Sequence, residues 1–337
     1  MTEFLPVILP LVWAAILAVG VLIYVVLDGF DLGLGVLFPF APNHRCRDAM
    51  MNSVAPYWDG NETWLVLGGG GLLAAFPLAY SLLLPALYLP LILMLAGLIL
   101  RGVAFEFRYK ADTSRWMWDW AFAGGSTLAA LMQGGAVGAF IQGFEVKDNA
   151  YAGGPFDWLT PFVLVTAVAL VAGYVLLACG WMIMKGDDEL RDWAYKVGRY
   201  AIVAVAAFIV IFSIWTPLMH EDIAARWFTP GNMVMLSPVP ILTALAVVGV
   251  WYALDQRWKH LPFLLSIVIF LLCYTGLAVS LFPYVIPPDV TIWDAAAAPD
   301  SQLFMLYGAI PLIPIILGYT AYSYYSMWHV KDHSAYH

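Results

Sequence analysis

Nine stretches of this chain are apolar for long enough to cross a lipid bilayer, and that constrains the fold more than any other feature. A span needs about 20 mostly apolar residues. With no water in the hydrocarbon to satisfy the backbone, each span has to close its hydrogen bonds internally, as a helix. The expected spans are 5–38, 51–75, 78–107, 117–142, 158–184, 197–218, 239–254, 261–282 and 303–327. The seventh is short and flanked by Pro238 and Pro240, so it carries the weakest signal. Of the 337 residues 63% are hydrophobic and 11% charged, where soluble domains carry about a quarter charged residues. The reading is an all-α polytopic membrane protein: one integral membrane domain over 1–337, with a first bundle at about 5–142 and a second part at about 158–327.

The same composition argues against nucleic acid as a partner and makes the lipid bilayer the solvent. Cys46, Cys179 and Cys273 are odd in number and far apart, so they read as packing thiols rather than a disulfide framework or a metal site. The leading Met1-Thr2-Glu3-Phe4 lacks the basic segment of a signal peptide, so the first apolar run is expected to remain as a helix. Nine spans place alternate loops on alternate sides. One set, with the C-terminal tail, holds twelve Lys and Arg residues; the other holds only Lys147 and Arg226. Basic loops stay in the cytoplasm. The N-terminus is therefore expected to be periplasmic and the C-terminus cytoplasmic.

Against this apolar background a few charged residues stand out. An ionisable side chain within a span costs roughly 2.5–3.5 kcal/mol on insertion scales, so it persists where it faces protein or water. The first span carries Asp28 and Asp31, the second Asp59, Asn61 and Glu62 flanked by Trp58 and Trp64, and the third Arg101. Counted from the span ends, Asp31 lies ~10 Å, Asp59 ~12 Å and Arg101 ~9 Å from the same face. They are expected to form one layer near the cytoplasmic side. A hydrated, proton-conducting site is one reading, with Asp59, Asp31, Asp28, Glu62 and Trp58 on the path and Arg101, Asn61 and Trp64 supporting it. A structural ion-pair lock around Arg101 is another, and a bound cation a third. Beyond the acids, Gly68–Gly71 is expected to let another helix approach closely.

Histidine placement bears on cofactors. His44, His220, His260, His329, His333 and His337 all fall in loops, span ends or the tail. Haems in helical bundles take axial His or Met from facing helices, so the chain is expected to hold no haem or metal alone. The last three histidines, spaced by four, could make a weak metal face, but a frayed terminus accounts for them better. Tryptophans such as Trp116, Trp118, Trp120, Trp181 and Trp328 read as an interfacial belt.

Four strings, GFDLGLG from Gly29, NSVAPYWDGNETWLVLGGG from Asn52, AAFPLAY from Ala74 and RGVAFEFRYK from Arg101, together resemble subunit II of cytochrome bd-type quinol oxidases. Their content and order resemble the cyanide-insensitive branch. The resemblance implies nine spans arranged as two four-helix bundles plus one peripheral helix. It also implies a partner, subunit I, carrying haem b and haem d (or a second b) and the quinol site. In some members a small single-span subunit is added, and subunit II holds a structural quinone. The complex would oxidise quinol and reduce O2 to water with protons from the cytoplasm. By the same resemblance Asp59, with Trp58 beside it, belongs to a proton path toward the oxygen-reducing haem. Asp31 belongs to the same polar region, and Trp64 lines an oxygen or proton route. A proton-coupled secondary transporter would also use intramembrane acids, but it should show inverted repeats and broken helices, and neither is visible in the sequence.

Overall fold

The computed structural model describes residues 4–328; the tail histidines His329, His333 and His337 lie outside the described residues. The helices are α1 (Leu5–Leu37), α2 (His44–Val54), α3 (Trp58–Ala75), α4 (Pro77–Phe107), α5 (Arg115–Gln142), α6 (Pro161–Lys185), α7 (Asp188–Met219), α8 (Glu221–Phe228), α9 (Pro230–Leu236), α10 (Pro238–Asp255), α11 (Leu261–Leu281) and α12 (Pro299–Trp328). Two small hairpins, β1 (Val146–Lys147) with β2 (Ala150–Tyr151) and β3 (Tyr284–Ile286) with β4 (Val290–Thr291), sit in loops at the end opposite α2. Among the described residues nine helices reach eighteen residues, at the nine expected places, and seven of them are apolar enough to cross a membrane on composition alone. The other two are α3, with Asp59, Asn61 and Glu62, and α5, with Arg115, Asp119 and Gln133.

The second expected span starts too early. Residues 51–54 complete α2, the chain turns through Ala55, Pro56 and Tyr57, and α3 begins at Trp58. Pro56 is the cause, since it has no N–H for the carbonyl four residues back and its ring crowds that turn. Asp59 consequently lies in the first turn of α3, not two turns deep.

Helices α1, α3, α4 and α5 pack together, α6, α7, α10 and α11 form a second group, and the groups meet along α6, which lies against α1 and α5. The α1–α6 crossing rests on two glycines. A methyl group at Gly29 would stand 2.6 Å from the Tyr174 ring, and one at Gly33 only 2.0 Å from the Tyr174 carbonyl oxygen. Small residues let membrane helices approach this closely. The glycine run of α3 behaves differently from the expectation. Gly71 faces Leu17 and Gly68 faces Val21 on α1, but Gly69 and Gly70 point outward with nothing within 4 Å.

Trp181 is not part of an interfacial belt. It is buried, its ring stacks on Phe30 at 4.5 Å, and its indole N–H donates to Ser53. Cys46 and Cys179 are buried, whereas Cys273 is exposed on the outer face of α11 and does not pack in the core. Helix α12 lies beside α1 and α3. Near its start the Trp13 indole donates to the Gln302 carbonyl, and the Gln302 amide donates to the Ala75 carbonyl, each at 3.0 Å.

Candidate functional site: a buried layer of carboxylates around one guanidinium

The glycines that seat α1 on α6 leave Asp28 and Asp31 on the part of α1 that meets α3 and α4. Both aspartates and Arg101 are wholly buried. Arg101 Nη1 donates to Asp28 Oδ1 at 2.6 Å, and its Nη2 donates to Glu62. One guanidinium thus joins α1, α3 and α4. The planar fork of an arginine suits this, because it can meet two carboxylates in fixed directions, which an ammonium cannot. Asp31 makes no ion pair among the described residues; its Oδ2 accepts from Asn61 Nδ2 at 2.8 Å, while Oδ1 is buried without a hydrogen-bond partner. Three carboxylates therefore lie around one cation inside the helix bundle, two of them paired with it.

The layer opens to one side. Glu62 keeps 27% of its side chain exposed, and Asp59, one turn earlier on α3, is exposed, its carboxylate accepting from the Gly60 N–H at 2.8 Å. The structure thus brings Asp28, Asp31, Asn61, Glu62 and Arg101 together and leaves Asp59 at the rim. Trp58 stacks on Phe105 at 5.1 Å and packs over Gly102 of α4, so it braces the start of α3 instead of touching the acids. Trp64 is buried with its indole N–H unpartnered.

Three tyrosines that the sequence pattern does not single out belong to the same polar interior. Tyr324 of α12 donates to Asn61 Oδ1 at 3.0 Å. On the other side of Asp28, the Gln133 amide bridges Tyr24 at 2.6 Å and Tyr174 at 2.7 Å, joining α1, α5 and α6. Tyr24 lies one helical turn from Asp28, a spacing that a helix reading of α1 makes available. A second ionic group ties α2 to the adjoining ends of α4 and α5. Arg108, which a loop reading leaves solvated, is buried between Asp119 at 2.5 Å and Asp48 at 2.8 Å, and Arg115 also meets Asp48. Burial beside this group pushes the Tyr109 phenol up to about 12.

Among the described residues no three His, Cys, Asp or Glu side chains converge as metal ligands. The three described histidines, His44, His220 and His260, stand at helix ends.

Fold and site together define an all-α, multi-pass membrane protein with an ion-paired acid layer inside its first helix group. The sequence profile of the cytochrome bd terminal oxidase subunit II family matches residues 9–327, and the chain belongs to that family. It is 30% identical to the cytochrome bd-I ubiquinol oxidase subunit 2 of Escherichia coli K12, over 95% of this chain and 94% of that one. It is 29% identical to a probable cytochrome oxidase subunit 2 of Haemophilus influenzae, over 94% and 93%. The bd oxidase structure from Geobacillus thermodenitrificans shares the fold, with a TM-score of 0.75 over 96% of this chain and 99% of that one at 15% identity.

Proposed function

We propose that this chain is the haem-free subunit of a complex that oxidises quinol and reduces O2 to water, and that its acid layer carries protons from the cytoplasm toward the haem-bearing subunit I. The observation that carries this is the excess of acids over bases. Asp28 and Glu62 both lean on Arg101, and Asp31 is held by a neutral amide. A buried group of this kind is costly to keep in a membrane unless it serves transport. Asp59 at the exposed rim and Glu62 behind it form the mouth, and Asp31 and Asp28 the interior. Trp58 and Trp64 fix the helix that carries them. The haems, b with d or a second b, belong to subunit I; motif order supports the cyanide-insensitive branch, with a structural quinone and a small single-span subunit as further components. The twelve-to-two distribution of basic residues supports a cytoplasmic side for the acid layer and the C-terminus.

The test is oxygen consumption per haem in the assembled complex. Asp59→Asn and Asp31→Asn keep shape and cannot ionise, so each should slow turnover while haem content stays at the parent level. Parent-like turnover of both variants at every accessible pH would leave the layer as a structural lock.

A further inference from the structure

The Asn61 amide has a fixed orientation. Its Nδ2 faces two acceptors, Asp31 Oδ2 at 2.8 Å and the Leu27 carbonyl at 3.3 Å. The Leu27 carbonyl can only accept, so the NH2 group has to lie on that side, where it also donates to Asp31. The amide oxygen is left needing a donor within a residue that is 1% exposed. Tyr324 O–H supplies it at 3.0 Å. The Tyr324 ring is held in turn by stacking on Tyr57 at 4.3 Å and 5°, in the α2–α3 turn just ahead of the acids. Helix α12, the last of the described helices, thus completes the polar layer from 263 residues away.

We propose that Tyr324 is a positioning residue for proton transfer: by donating to Asn61 it holds that amide so that its N–H groups face Asp31. The proposal rests on the proton-carrying reading of the layer. Without the phenolic hydroxyl, the Asn61 oxygen is a buried acceptor with no donor, a condition that costs more than the bond itself was worth. Rotating the amide relieves it by turning that oxygen toward Asp31, where it accepts a hydrogen bond from the protonated carboxyl, in place of the N–H that donates to the carboxylate. The other charged and titratable groups acting on Asp31 are Asp28 on its own helix, Arg101 on α4 and Glu62 on α3, and Tyr324 also feels Tyr57. None of these changes when only the Tyr324 hydroxyl is removed.

The experiment uses the assembled two-subunit complex carrying Tyr324→Phe, which retains the ring and its stack. Haem per milligram should match the parent. The acid limb of the turnover profile should move to higher pH by about one unit, the size of one hydrogen bond to a charged or buried group. The carboxylic C=O stretch that Asp31→Asn removes from the infrared difference spectrum should shift in Tyr324→Phe. Asp31→Asn run in parallel separates the two levels. If Asp31→Asn slows turnover but Tyr324→Phe leaves both the pH profile and the infrared band of the parent, the positioning role is overturned and the proton path stands. If Asp31→Asn turns over like the parent, Asp31 is off the path and the positioning role fails with it; if Asp59→Asn does so too, the path itself fails. A fall in assembled haem in Tyr324→Phe, with an unmoved pH profile, would make Tyr324 a packing residue only.

Discussion

Replacing Arg101 with leucine removes the single guanidinium that Asp28 and Glu62 share. Asp28 loses a 2.6 Å partner while its side chain remains wholly buried. Breaking a buried pair by deleting one partner costs about 3–5 kcal/mol, most of it the penalty of the stranded charge. Glu62, with 27% of its side chain exposed, is partly relieved by solvent and adds less. Against a total stability of about 5–15 kcal/mol, the loss is a large fraction. Assembled haem per milligram should fall sharply, with a lower melting temperature in detergent. The stranded charge, not the lost packing, is the cause, and this can be separated. A triple variant, Arg101→Leu with Asp28→Leu and Glu62→Leu, removes both ion-pair partners of Arg101 with it and leaves Asp31 on its Asn61 donor, and apolar replacements of buried ion groups are often neutral or stabilising by about 1–4 kcal/mol. The triple variant should recover haem content and thermal stability without recovering oxygen turnover. If its haem content stays as low as that of Arg101→Leu alone, the electrostatic reasoning is wrong and Arg101 acts through packing.

Gly33→Ala would place a methyl group 2.0 Å from the Tyr174 carbonyl, a backbone atom that cannot swing away, so α1 and α6 must part at a cost of about 1–3 kcal/mol or more, read as a lower melting temperature and reduced haem. A tag fused after the C-terminus should escape an impermeant reagent added to intact cells and react once they are opened; labelling of intact cells would reverse the orientation. In the loop before α12, hydrogen bonds from Thr291 hold the Asp294 carboxyl below the usual carboxylate range. A depressed value means that the contribution is present above the ordinary carboxylate pKa and is lost as pH falls through the lower, folded-state value. The protection of that loop's amides, taken relative to their intrinsic exchange rate at each pH, should therefore hold steady near neutral pH and fall only in acid below the ordinary carboxylate range, and Asp294→Asn should remove that fall.

Hydropathy locates the nine long helices because a bilayer enforces one length and one secondary structure. It is less reliable for depth, since α2 and α3 form one polar-apolar run whose break depends on the single missing N–H of Pro56. That break moves Asp59 to the rim, while Asp28 and Arg101, on helices whose ends the sequence marks well, meet Glu62 one turn further along α3. Tyr324 was not legible. A tyrosine near the end of a span ordinarily belongs to the interfacial belt, and no local pattern links it to an asparagine so far away in the chain. Arg108 was hidden for a related reason: it follows the last residue of α4, and only the fold reveals that Asp48 and Asp119 enclose it. Trp181 likewise sits near a span end, yet stacks on Phe30 within the core.

The contact of Gly33 with the Tyr174 carbonyl has a mechanical consequence. Two helices that touch backbone to backbone cannot slide along each other without lifting apart, so α1 and α6 are indexed like the teeth of a ratchet. Asp28, Asp31, Tyr24 and Tyr174 keep their relative heights because that index is set by protein and not by lipid. A thicker or thinner bilayer is accommodated by tilting the helices or deforming the lipid around them, at a fraction of a kcal/mol per ångström of mismatch. The spacing between these groups should then be the same in membranes of different thickness, so under the proton path we propose the rate of passage should be insensitive to acyl-chain length even where the tilt of the whole subunit is not.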